Sequence, residues 1–274
     1  MGENKPGVSR IGVTFRDRHD GAEQAQARAQ AQLESQGVKV FDLGQVLDGE
    51  DVDVLLAFGG DGTLLHASRL MGTRNIPVLG VNFGRVGYLC AVTEEQLDET
   101  LEVLVRGVYR VEERCMLRAT VLNRREVVWQ VDAFNEVLVG GSNRTLSLDV
   151  SISGEHIGTI VGDGVIIATR TGSTAYAMSA GGPVVLLESM VLVASNAISS
   201  ALLAPTVLPM HATVEITNRT KVTRPYVIAD GQKDYQILDG TVIQVERSPN
   251  SVLLVDPGLV SPLAKLTKKS AERT

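Results

Sequence analysis

The chain has 274 residues, 44% of them hydrophobic and 21% charged, with a formal net charge of -6. That length suffices for two modest domains with a sizeable core, and an acidic balance without a long block of Lys and Arg excludes broad nucleic-acid binding. Cys90 and Cys115 stand far apart at no metal-ligand spacing, which fits free thiols in a reducing cytosol and a cytoplasmic protein.

The first residues lack the apolar core of a signal peptide, and Pro6 stands where a myristoylation signal takes Ser or Thr. Residues 10–15 read as a short strand. Residues 21–36, rich in Ala, Gln, Arg and Glu, read as an exposed helix that Gly37 closes. Strands are expected at 38–41, 52–58 and 76–81, and a helix at 64–70. Strand and helix in alternation imply a parallel sheet with right-handed crossovers. Thr93 opens a further helix, with Gln96 at the reciprocal capping-box position.

Near residue 112 the texture changes. Runs with β-branched, alternating character follow at 117–122, 127–131, 137–139, 146–152, 164–168, 207–216, 226–229 and 242–246. The apolar stretch 184–209 is interrupted by Glu188, Asn196 and Pro205, so it reads as core and not as a membrane span. The expected architecture is an α/β domain with a parallel sheet over residues 1–112 and a β-rich domain over 113–256. Residues 257–274 are expected to return to the first domain, with 262–269 as a helix.

Gly59-Gly60-Asp61-Gly62-Thr63 joins the apolar strand to the helix after it. Such a turn leaves backbone N–H groups open at the positive end of a helix, which makes Gly59, Gly60 and Thr63 phosphate-binding candidates. Asp61 would repel a phosphate unless it serves a metal ion or a hydroxyl about to receive a phosphoryl group. The pattern therefore points to a kinase outside the P-loop class.

A second glycine-rich segment, residues 79–89, follows the next strand without the GxGxxG spacing. There Phe83 offers a face to a planar base, and Arg85 either a charge to a phosphate or an internal hold on the loop; a purely structural turn is the equal alternative. The pair Asn135-Glu136 would by itself be assigned no function. A longer segment, 162–183, delivers a turn with Thr171, Ser173 and Thr174 around Gly172, Asp163 upstream and Tyr176 downstream, and it reads as a ligand cradle. Asp230-Gly231-Gln232 reads as a hairpin turn. His19, His66, His156 and His211 show no ligand spacing, and no residue is assigned to a metal. Lys265, Lys268 and Lys269 read as a solvated end.

Together, GGDGT, LGVNFGRVGYL, the Asn135-Glu136 pair, DGVIIATRTGSTAY and AGGP resemble the NAD kinase family in type and order over most of the chain. The resemblance implies phosphorylation of the adenosine-ribose 2′-hydroxyl of NAD to give NADP, with ATP as donor and Mg2+ or another divalent cation. It also implies self-association as a dimer or tetramer, and no nucleic-acid or membrane partner. Asp61 falls on the position of the proton acceptor, with Gly62 beside it. Asn135, Glu136, Asp163, Thr174, Ala175 and Tyr176 fall on substrate-binding positions, joined by Thr171 and Ser173 of the same turn. Arg144, Ala194 and Gln232 fall on further binding positions, and Phe83 on a loop wall.

The chain departs from the family pattern at Arg170, where Pro is usual, and at Val161, where Arg is frequent. Arg170 offers a charge in place of the one Val161 lacks. The Pro-His-Thr-Leu segment of many members is absent. A lipid or sugar kinase and a binding-only NAD(P) sensor are the alternative readings. The first lacks an account of the TGSTAY segment, and the second lacks one of Asp61.

Overall fold

A computed structural model describes residues 7–15, 21–83, 87–90, 92–202 and 204–259. The chain divides into two compact units, one running to Arg114 and resuming at Ser251, the other Cys115–Asn250. The helix expected at 262–269 lies outside the described residues, as does Arg85.

The first unit is built on parallel strands. Val78–Asn82 lies beside Val54–Gly59, then Arg10–Phe15, then Lys39–Asp42 at the edge. Leu56 pairs with Val13 on one side and Leu79 on the other. Val54–Gly59 is buried throughout because both faces are covered. Helix Ala22–Ser35 presents Ala22, Ala25, Ala29 and Leu33 to one face, and Leu97–Val105 adds Leu97, Leu101 and Leu104. That spacing of three and four residues is the apolar stripe of an amphipathic helix. The opposite face is covered by Leu64, Ala67 and Met71 of helix Asp61–Met71 and by Val46.

The chain winds from the Arg10–Phe15 strand outward to Lys39–Asp42, then back past it to Val54–Gly59. That reversal is the switch point at which open α/β sheets bind ligands, at the carboxyl ends of the strands. The GGDGT turn lies there. At Thr93 the expected capping box is present, with the Thr93 N–H donating to Gln96 Oε1 over 3.2 Å.

A short helix, Leu43–Leu47, is additional to the sequence reading. Asp42 and Gln45 form its capping box through reciprocal 2.9 Å bonds.

The second unit is antiparallel. Six strands run in the order Thr206–Pro209, Ser189–Ser195, Gly164–Ala168, Glu136–Gly140, Tyr226–Ala229, Lys233–Gln236. Alternate residues of this sheet, such as Val137, Val139, Val165, Ile167 and Leu192, pack on Leu148, Val150, Val214, Ile216 and Val245 of other strands in the unit. Its other face carries Ile166, Ala168, Val191 and Val193, covered by Ala177 of the short helix Tyr176–Ser179.

The run expected at 207–216 is two strands, Thr206–Pro209 and Val214–Asn218. Pro209 has no N–H for a ladder, and a turn closes there with Ala212 N–H donating to its carbonyl at 3.0 Å. Strands Glu155–Gly162, Ser189–Ser195 and Lys233–Gln236 are further additions to the sequence reading.

Candidate active site

In the first unit the site is built around one carboxylate. Gly59 sits at φ 152°, and a side chain on it would strike Thr63, whose position is fixed by its N–H donating to Gly60 O at 2.9 Å. Gly60 is the extended N-cap of helix Asp61–Met71 and carries no capping side chain. Asp61 is therefore the first helical residue, half-buried, while Gly62 is exposed.

The Asp61 side chain turns to the segment after the Val78–Asn82 strand. Oδ2 accepts the Tyr88 N–H at 2.8 Å, and Oδ1 accepts those of Leu89 and Cys90 at 3.2 Å each. Gly87 has to lack a side chain, because one would land on this carboxylate. A carboxylate offers about four lone-pair sites. Three are taken by amides, which among the described residues leaves one on Oδ2 to accept from a hydroxyl.

Phe83, offered by the sequence as a surface for a planar base, is 5% exposed. Its ring packs beside Phe58 with centroids 6.2 Å apart, and its N–H donates to Gly59 O at 3.1 Å. The ring belongs to the core and supports the GGDGT turn from within.

In the second unit, residues 134–136 and the 169–176 turn are fastened together. Thr169 donates its N–H to Asn135 O at 2.8 Å and its hydroxyl to Phe134 O at 2.7 Å, and the same hydroxyl accepts the Gly172 N–H at 3.0 Å. Gly172 lies so close to the Asn135 carbonyl that no side chain fits. Ser173 is completely buried, donating to Arg170 O at 2.7 Å and accepting the Val185 N–H at 3.1 Å. Thr174 donates to Thr171 O at 3.1 Å. The Ser173 and Thr174 hydroxyls shape the turn; the sequence reading had them as ligand donors. Ala175 is half-buried, and Tyr176 is 45% exposed at the start of its helix.

Asn135 and Glu136 are buried, and Asn135 Oδ1 and Glu136 Oε2 have no hydrogen-bond partner among the described residues. Burial, and then the charge of Asp230, push the Glu136 carboxyl up to about 7, against the opposing effect of the Tyr176 backbone N–H. Buried polar atoms without partners are costly, so Asn135 and Glu136 are candidates for a ligand contact.

Asp163 is exposed and accepts from Asn196 Nδ2 at 2.8 Å, while its N–H donates to Ser195 O at 3.0 Å, next to Ala194. Arg144 stands exposed in the turn after Gly140, and Gln232 is exposed at the hairpin tip. Arg170 is paired with Glu188 at 3.4 Å, so its charge is already partly matched.

Two residues were missed by the sequence reading. Thr169 was legible only as one more hydroxyl in a polar turn. Asp230 was read as turn chemistry, and it is in the turn, but its carboxylate accepts the N–H groups of Phe134, Asn135 and Glu136 at 2.9, 2.7 and 3.1 Å. No local signal reaches across that separation.

The family models for the ATP-NAD kinase N-terminal and C-terminal domains match residues 10–109 and 135–256. The chain is 36% identical to an NAD kinase of Pseudomonas putida over 216 residues, 76% of this chain and 72% of the relative. It is 38% identical to that of Gemmatimonas aurantiaca over 213 residues, 74% of this chain and 72% of the relative. The solved NAD kinase of Archaeoglobus fulgidus in complex with ATP has a TM-score of 0.72 at 29% identity, covering 89% of this chain and 92% of that one. Yeast NADH kinase complexed with NADH has a TM-score of 0.85 at 19% identity, covering 97% and 89%, a likeness of fold alone.

Proposed function

The chain belongs to the NAD kinase family, and we propose that Asp61 is the residue on which its phosphoryl transfer turns. The enzyme phosphorylates NAD with ATP. In this reading residues 1–112, with 257–274 returning to them, form the phosphoryl-transfer domain, and 113–256 form the NAD-binding domain.

Asp61 accepts the adenosine-ribose 2′-hydroxyl on the open lone pair of Oδ2 and draws off its proton as the oxygen attacks the γ-phosphorus. The bond to the β–γ bridging oxygen breaks, ADP leaves and NADP remains. The amides at the start of helix Asp61–Met71, with Gly59, Gly60 and Thr63 shaping the turn, position the phosphates. Positioning and electrostatics carry most of such a transfer. Asn135, Glu136, Asp163 and Tyr176 bind NAD, with Arg144, Ala194 and Gln232 at its margins.

No group of three His, Cys, Asp or Glu stands together among the described residues. A divalent cation bound with the triphosphate would neutralise part of its charge. No helix among the described residues is long and apolar enough to cross a membrane. Cytoplasmic location and self-association as a dimer or tetramer complete the proposal.

The observation that carries the role of Asp61 is its three-amide anchorage with one lone pair left over. An NADP-forming assay with NAD, ATP and Mg2+, run beside Asp61→Asn, tests it. Near-native turnover by the variant would remove the base role.

A further inference from the structure

Asp230 opens the turn between strands Tyr226–Ala229 and Lys233–Gln236 at φ 52°, a left-handed conformation that Asp tolerates better than most residues. From there its buried carboxylate takes three consecutive N–H groups, those of Phe134, Asn135 and Glu136. In return its own N–H donates to Glu136 O at 3.0 Å. Two carboxyl groups are thus buried in one another's field, and such a pair does not ionise twice at low cost.

Hydrogen bonds decide which of the two keeps the charge. Asp230 has three backbone donors, whereas Glu136 faces the Tyr176 N–H and leaves Oε2 without a partner. The groups that act on the Glu136 carboxyl are the Asp230 carboxylate and that Tyr176 amide. Across the sheet Glu136 pairs with the neutral Ala168 on one side, and on the other Ala229 pairs with Val137 and Asp230 itself follows opposite Glu136. The proton of the pair therefore belongs on Glu136.

We propose that Asp230 is a positioning residue for the nucleotide: it fixes the 134–136 backbone and, by keeping the negative charge of the pair, makes Glu136 a hydrogen-bond donor to the ligand. This rests on the reading that Asn135 and Glu136 bind NAD. A protonated Glu136 supplies a donor and Asn135 Oδ1 an acceptor, which suits a ligand that presents both an acceptor and a donor. An ionised Glu136 would only accept.

Because the free Glu136 carboxyl ionises at about pH 7, binding at higher pH has to return a proton to it from the buffer. Calorimetry of NAD binding to the full chain, at pH 6 and pH 8 in buffers of different ionisation enthalpy, counts that proton. Wild type is expected to take up close to one proton at pH 8 and almost none at pH 6, with affinity about tenfold weaker at pH 8. Glu136→Gln is expected to lose both the uptake and the pH dependence.

Asp230→Asn removes the charge and puts an amide where one N–H donor needs an acceptor. It is expected to bind NAD several-fold more weakly at pH 6 and to lose most of the uptake at pH 8. Asp230→Glu keeps the charge, so it should weaken binding yet retain uptake. Wild-type uptake in Asp230→Asn would overturn the proposal, since a purely structural residue leaves the proton count alone. Absence of uptake by wild type would overturn it even if Asp230→Asn fails to fold. Unchanged NAD affinity in both Glu136→Gln and Asn135→Ala would instead bring down the NAD-site reading, and the proposal with it.

Discussion

Glu136 gives the fold a pH dependence whose size follows from its burial. Its carboxyl moves from an ordinary 4.5 to about 7 on folding, through desolvation and then the Asp230 charge. Between those values the folded chain holds a proton that the unfolded chain has released, so unfolded chains bind fewer protons and stability falls as pH rises. The loss begins near pH 4.5 and is complete above pH 7. At 1.36 kcal/mol for each pH unit of displacement it amounts to about 3 kcal/mol. Glu136→Gln has no proton to lose there. Any constant cost or gain of the new amide cancels when the two proteins are compared at two pH values. The stability of Glu136→Gln relative to wild type should therefore improve by about 2–3 kcal/mol between pH 5 and pH 8.

The chain carries its own reporter for this measurement. Trp129 is the sole tryptophan, lies in the same unit as Glu136 and stacks on Tyr235 at a centroid distance of 5.6 Å. Urea unfolding followed by its fluorescence, without NAD, reads that unit directly. Parallel pH profiles for wild type and Glu136→Gln would refute the argument, because they would mean that Glu136 ionises on folding as readily as in water.

Asp61→Asn should keep NAD binding and lose turnover by about a hundredfold or more, the range for acid–base assistance, as read in the NADP-forming assay. Gly87→Ala places a methyl group on the Asp61 carboxylate and should cut turnover at least about tenfold through a misplaced base. Trp129 fluorescence should not change in that variant. Thr169→Val keeps the shape but leaves Phe134 O and the Gly172 N–H unpaired. It should destabilise the second unit by about 1–3 kcal/mol in urea and weaken NAD binding by calorimetry.

The sequence made legible those features whose cause is local. Helix Ala22–Ser35 follows from its stripe of Ala and Leu, the Thr93–Gln96 cap from its four-residue pattern, and strand Gly164–Ala168 from its apolar run. Glu155–Gly162 was hidden because two glycines and a polar start blur its alternation, although Ser153 and Gly154 before it take the left-handed turn conformations of a hairpin. The motifs pointed to both candidate segments, but the hydrogen bonding around them is long-range. Asp61 takes the N–H groups of residues 88–90, and Asp230 takes those of 134–136. In each case an Asp on a Gly-flanked turn accepts three successive amides of a distant segment. In the proposed reading the same bonding serves two ends: Asp61 meets its substrate directly, whereas Asp230 acts through Glu136. A glycine next to an aspartate is visible in any sequence; which amides the carboxylate will collect is decided only when the sheet closes, and that is why Asp230 read as a turn and no more.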